Sequence, residues 1–286
     1  MKVIVGFIIV IVCTLGGYAA MGGHLAVLWQ PFEVVIIVGA AIGAFVTANT
    51  KSVLKKVMPG IKAAMKGPQY KKTHYVELLS LLFVVFKTIR SKGILKLEAD
   101  IENPHDSELF QRFPLFHHDH HAVDFLCDYL RMVSLGSENA SVMEDLMNRE
   151  LEVHHQEQHN VAHAIQGMAD GMPALGIVAA VLGVIKTMGA ITEPPEVLGK
   201  LIGGALVGTF LGVWVSYGYC APLANMIGST YSEDGAYLEC IKAGLLAHLQ
   251  GGAPAVSIEF ARKILPSHVR PSFAEVEQAI DQLPKS

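Results

Sequence analysis

Charge is scarce in this chain: 17% of its 286 residues are Asp, Glu, Lys or Arg, where a soluble domain carries about a quarter. With 51% hydrophobic residues and a mean hydropathy of +0.40, that shortage excludes a single soluble enzyme domain. No basic excess exists either, since the formal net charge is -4, so nucleic acid is excluded as a partner. The four cysteines, Cys13, Cys127, Cys220 and Cys240, never pair as CxxC, which excludes a zinc module and a disulfide scaffold and points to a reducing compartment. GxxxxGK[ST], GxSxG and HExxH are all missing, so neither nucleotide hydrolysis nor another enzymatic activity is expected.

What the chain does have is long apolar runs. The stretch from Val3 to Met21 holds 19 uncharged residues, close to the ~20 that a helix needs to cross the hydrocarbon of a bilayer. A second, Leu25 to Ala48, is broken only by Glu33, and Pro31 with Glu33 leaves it the shortest clean core. A third, Gly171 to Thr192, carries Lys186 alone, and a fourth, Leu201 to Ala224, carries no charge. Four spans are predicted. The run LLSLLFVVF, residues 78–86, is flanked by Lys71, Lys72, Glu77, Lys87 and Arg90; nine residues cannot cross, so it predicts a helix buried in protein.

Residues 51–72 hold seven lysines and no acid, which places them in the cytoplasm by the positive-inside rule. The expected architecture is all-α. Residues 1–50 form a hairpin of spans one and two, and 51–169 a helical cytoplasmic insertion. Residues 170–225 form a hairpin of spans three and four, and 226–286 a cytoplasmic helical tail. Both termini then face the cytoplasm of a multi-pass membrane protein. Within the insertion, Ser141 and Glu144 have capping-box spacing, and Val142, Leu146, Met147 and Leu151 outline an amphipathic helix that feeds into span three. In the tail, Gly251, Gly252, Pro254, Pro266 and Pro271 divide short helices, and Ser272 with Glu275 gives another capping box.

Small residues recur every four positions: Gly204, Gly208 and Gly212 in span four, Ala179 and Gly183 in span three, Gly39 and Gly43 in span two. Two readings fit that spacing, close packing within one chain and association between chains. Span four also places Thr209, Ser216 and Cys220 along one face with Tyr217 and Tyr219 nearby, a set that either bonds its own backbone or lines a wet path. No Asp or Glu stands at the middle of a span, although proton or cation passage through lipid calls for an ionisable group. If the chain passes ions, a partner is therefore expected to supply it.

Ten of the thirteen histidines fall between residues 51 and 169, among them HHDHH (His117 to His121) and His155, His159 and His163 beside Glu152. Histidines at i, i+4 can share a metal, which leaves a metal transporter or sensor as an alternative. Without a matching second cluster, a metal-free surface is the expectation.

ALVGTFLGVWVSYGYCAP, residues 205–222, resembles the signature of the MotA family of flagellar motor stator proteins, grouped with TolQ and ExbB. GGYAAMGGHLAVLWQPFEVVIIVGAAIGAF at 16–45, GMADGMPALGIVAAVLGVIKTMG at 167–189 and RPSF at 270–273 resemble the same family. The four-span plan matches MotA better than the three-span TolQ and ExbB, whose energising of outer-membrane processes is the other alternative. The resemblance implies a stator subunit of the bacterial inner membrane with no cofactor, driven by proton flow, with sodium left open. Five copies would surround two MotB chains, whose aspartate binds the proton, and turn the rotor protein FliG. It implies rotor contacts at Arg90 and Glu98, in RSKGILKLEAD, and at Glu150. It further implies pore-lining positions at Ala180, Thr209 and Tyr217 with Asp170 close by, and coupling prolines at Pro173 and Pro222.

Overall fold

A computed structural model describes residues 2–137 and 139–283, and every regular element among them is helical. Four helices are long and apolar enough to cross a membrane: Lys2–Ala20, Leu25–Ala48, Ala140–Met188 and Pro195–Leu249. The last two extend well beyond their apolar cores. The third apolar run is the end of a 49-residue helix, Ala140–Met188, with Pro173 inside it, so the helix that starts at Ala140 continues without a break into that run. The chain divides into two compact units, residues 1–67 with 156–231 and residues 68–155 with 232–286.

In the first unit, spans one, two and four each contain a wide turn with i→i+5 bonding, at Val12–Gly16, Val35–Gly39 and Ser216–Cys220. Such turns shift the faces that simple helical counting assigns. Spans three and four approach at glycine: a Cβ on Gly176 would lie 2.8 Å from the Gly208 carbonyl oxygen, and one on Gly183 would lie 2.7 Å from the Ala205 Cβ. The small-residue spacing of spans three and four thus serves packing within the chain, where backbones replace side chains at the seam. Gly39 and Gly43 meet nothing within 4 Å. Span one joins span four through the Trp214 indole, whose Nε1–H donates to Thr14 Oγ1 at 2.9 Å, and through the ring contact of Phe7 with Tyr219. Helix Lys51–Lys66, opened by Thr50 as its cap, packs Ala64 against Val161, Ile165, Ala224 and Ile227.

The second unit is built on helix Lys72–Lys92. Its LLSLLFVVF segment buries Leu78, Leu79, Leu81, Leu82, Val85 and Phe86 completely, as its length and flanking charges required, each large side chain adding about 1.5–3 kcal/mol of hydrophobic stabilisation. Around it gather Phe110, Phe116, Leu126, Leu130, Tyr237 and Ile241. Tyr70 stacks on Tyr237 with centroids 4.0 Å apart, and its hydroxyl donates to Asp119. Helices Pro254–Lys263 and Phe273–Asp281 complete the unit; the second carries the Ser272–Glu275 capping box that its sequence predicted.

Two sequence expectations shift by a residue or two. The cap of the long helix is Asn139 rather than Ser141: Asn139 Oδ1 accepts from the Ser141 and Val142 backbone N–H groups at 3.0 and 3.3 Å. Its buried face runs Met143, Met147 and Leu151, while Val142 and Leu146 are exposed.

Candidate functional site

A buried carboxylate of the first unit lies where span two meets spans three and four. Glu33, in the first helical turn after Pro31, is 9% exposed. Its carboxylate occupies the space that two missing Cβ atoms leave. A Cβ on Gly208 would fall 2.8 Å from Oε2, and one on Gly183 would fall 3.7 Å from Oε1. Among the described residues Oε2 has no hydrogen-bond partner. Gln30, one turn earlier, comes within 3.0 Å of where a Gly204 Cβ would stand. Linear counting put Glu33 near one end of span two and gave it no role; an acid inside an otherwise uncharged run was the signal that marked it.

The same Gly208 position fixes two of the pore-lining candidates. The Ala180 backbone nitrogen lies 3.0 Å from a Cβ on Gly208, and Thr209 is the next residue along, so Ala180 and Thr209 sit at one crossing level, both partly buried. Tyr217 stands apart from them, 62% exposed in the wide turn Ser216–Cys220. Ser216 is fully buried, and its hydroxyl donates to the Ala169 carbonyl at 2.6 Å, so it ties span four to span three rather than lining a path. Cys220 rests against the Met172 sulfur at 3.8 Å. Asp170 is exposed and accepts from the Gln166 amide at 2.7 Å. Pro173 is partly buried within its helix, and Pro222 is exposed in the first turn of helix Ala221–Leu249.

The charged candidates belong to the second unit. Arg90 is exposed in the last turn of helix Lys72–Lys92, which Gly93 ends with φ +80°, a value that suits glycine because it has no Cβ. Glu98 is exposed at the start of helix Glu98–Glu102. The two charges therefore lie on separate helices, and neither forms an ion pair among the described residues. Glu150 differs: it accepts from the Tyr129 hydroxyl at 2.6 Å. Tyr129 is buried, and burial first, the Glu150 bond second, pushes its phenol up.

The histidine motif is tied into the fold. Asp119 caps helix His120–Ser134 by accepting from the Ala122 N–H at 3.2 Å, and His118 Nδ1 lies 2.5 Å from the Pro114 carbonyl oxygen. His121 and His154 pair at 3.2 Å. Among the described residues no three His, Cys, Asp or Glu side chains gather closely enough to hold a metal ion.

Lipid-length helices closed on glycine around a carboxylate define a multi-span helical membrane protein of an ion-handling class. Comparison with known proteins narrows this. Residues 4–93 match the model for the Motility protein A N-terminal region, and residues 118–239 match the MotA/TolQ/ExbB proton channel family. The chain is 41% identical to Motility protein A of Salmonella typhimurium and 39% identical to that of Escherichia coli, in both cases over 98% of this chain and 95% of the relative. The flagellar MotAB stator complex of Bacillus subtilis contains a chain of like fold. Its TM-score is 0.75 at 26% identity, covering 96% of this chain and 100% of that one. This chain belongs to the Motility protein A family. Its function is that of a flagellar stator subunit of the proton channel class, a family of channels and not of enzymes.

Proposed function

We propose that several copies of this chain, five by family likeness, surround two MotB chains. MotB supplies the aspartate at which the ion binds in the rotor-driving step. Proton flow past Ala180 and Thr209 then changes the shape of spans three and four through Pro173 and Pro222, and the second unit turns the rotor protein FliG through Arg90 and Glu98. On this reading residues 51–169 and 226–286 are cytoplasmic, as are both termini, and Asp170 stands at the cytoplasmic mouth of span three. Sodium in place of the proton is compatible with the same hydroxyls.

The observation that carries this reading is the near-full-length identity to Motility protein A. The geometry adds to it. Spans three and four cross on glycine at the level of Ala180 and Thr209, while Arg90 and Glu98 stay unpaired on exposed helix ends, free to meet charges of opposite sign on a partner. Glu150, already committed to Tyr129, is the weaker contact. Deleting the gene tests the reading. Cells should build normal filaments that do not rotate; swimming unchanged in a host with no second stator set would overturn it.

A further inference from the structure

Glu33 is the one acid within the apolar length of span two, and the stator reading gives it no task. Three observations converge on it. It is nine-tenths buried, Oε2 has no hydrogen-bond donor or acceptor in reach among the described residues, and both carboxylate oxygens face glycine, Oε2 at Gly208 and Oε1 toward Gly183. Among the described residues no titratable side chain of the helices packed against it forms an ion pair with it. Lys186, one turn beyond Gly183, and Lys200, at the start of the span-four helix, are both exposed, and neither pairs with it. Tyr217, Tyr219, Cys220 and Asp170 lie at the far end of the same helices.

A carboxyl in this setting does little for packing. An amide or an apolar side chain of similar size would fill the space without the penalty of an unmatched oxygen, which for a buried polar group is about 1–3 kcal/mol and for an unpaired ionised one far more. Acids kept inside a membrane at such cost mark ion paths. Glycine at 183 and 208 lets the helix backbones close directly on the carboxyl, where a side chain would displace it. Gly208 also borders Ala180 and precedes Thr209, so the carboxyl and the candidate pore positions share one crossing level.

We propose that Glu33 is a proton-exchanging carboxyl of this chain, a station in the ion path additional to the aspartate that MotB supplies. The step is a proton transfer alone. A hydronium ion gives its proton to Oε2, forming the O–H bond and leaving water, and that bond then breaks to pass the proton on to another water. This rests on the stator reading for its place in a path, but not for the chemistry of the carboxyl.

The test uses the full chain expressed with its own MotB in cells lacking other stators. Wild type should restore swimming. E33Q and E33A should accumulate in the membrane and co-purify with MotB as wild type does, while proton uptake by vesicles carrying the complex falls about a hundredfold, the low end of what a positioned proton-transferring side chain contributes. E33D should keep most of the uptake and show a shifted dependence of swimming speed on pH. Dicyclohexylcarbodiimide, which reacts with protonated carboxyls in apolar surroundings, should modify Glu33 in native membranes, seen as a mass increase on the peptide from Val3 to Lys51, and less so in alkaline medium. E33Q conducting at the wild-type rate with Glu33 unmodified would overturn the proposal. If the variants do not accumulate, the labelling of the native protein decides. Failure of wild type to restore swimming would count against the stator reading, while the labelling would still judge the carboxyl.

Discussion

Gly212 meets Gly176 backbone to backbone: a Cβ on Gly212 would fall 2.8 Å from the Gly176 Cα and 2.7 Å from the Met172 carbonyl oxygen. Contacts of that length leave no room for a methyl group, and the neighbours are helix backbone that cannot swing aside. Gly212→Ala should therefore separate spans three and four, and Gly212→Val more so, at about 1–3 kcal/mol for overpacking. Thermal unfolding of the detergent-solubilised chain checks this, with Gly39→Ala, which meets nothing, expected to melt as wild type.

Ser216 makes the polar counterpart of that seam. Removing its hydroxyl in Ser216→Ala breaks the bond to the Ala169 carbonyl and should cost about 1 kcal/mol, the usual worth of an interhelical hydrogen bond in a membrane protein. The same melting measurement reads it. Conductance should persist, since the hydroxyl is already bonded.

Arg90 and Glu98 have no ion pairs to lose. Arg90→Glu and Glu98→Lys should change stability by no more than about 0.5 kcal/mol, as surface substitutions do, yet lower torque in tethered cells. Glu150→Ala behaves in the opposite order. It leaves the buried Tyr129 hydroxyl unpaired, at about 1–3 kcal/mol, so any motility it loses should follow reduced stability.

Acid stability of the second unit depends on two carboxyls with depressed titration. The Lys72 ammonium and the Ser272 cap hold Glu275 down at about 2, and the Arg262 guanidinium holds Glu259 below the usual range. Folded, both bind fewer protons than unfolded, where a glutamate titrates near ~4.3. Their contribution is present above that value and lost as pH falls through the folded ones. Urea unfolding followed from neutral to acid pH should show stability dropping below about pH 4, with a shallower slope in Glu259→Gln.

Much of this fold was legible because lipid length and charge segregation leave few alternatives. Residues 78–86 were too short and too flanked by charge to be anything but core, and Ser272 with Glu275 capped a helix as spacing predicted. Local competition decided the misses. Asn139 outcompetes Ser141 for the helix start because its side chain reaches two backbone N–H groups; of the expected face Met147 and Leu151 are buried as read, while Met143 takes the place of Val142 and Leu146. The site was harder to read. Wide turns at Val35–Gly39 and Ser216–Cys220 break the periodicity that assigned faces, so the sequence left Ser216 between its own backbone and a wet path, and its hydroxyl instead ties to the Ala169 carbonyl of span three. Glu33 was legible as the acid that interrupts span two, whereas its burial is set by which glycines oppose it, and no single-chain pattern reveals that.

The central claim, that this chain drives flagellar rotation as a proton-channel stator subunit, is tested most directly in tethered cells that lack their own stators and carry this chain with its MotB under an inducible promoter. Induction should restart rotation in discrete, equal speed increments as complexes join the motor, and the rotation should stop when the proton gradient is collapsed. A chain that reaches the membrane while the motors stay still, or rotation that persists without the gradient, would contradict it.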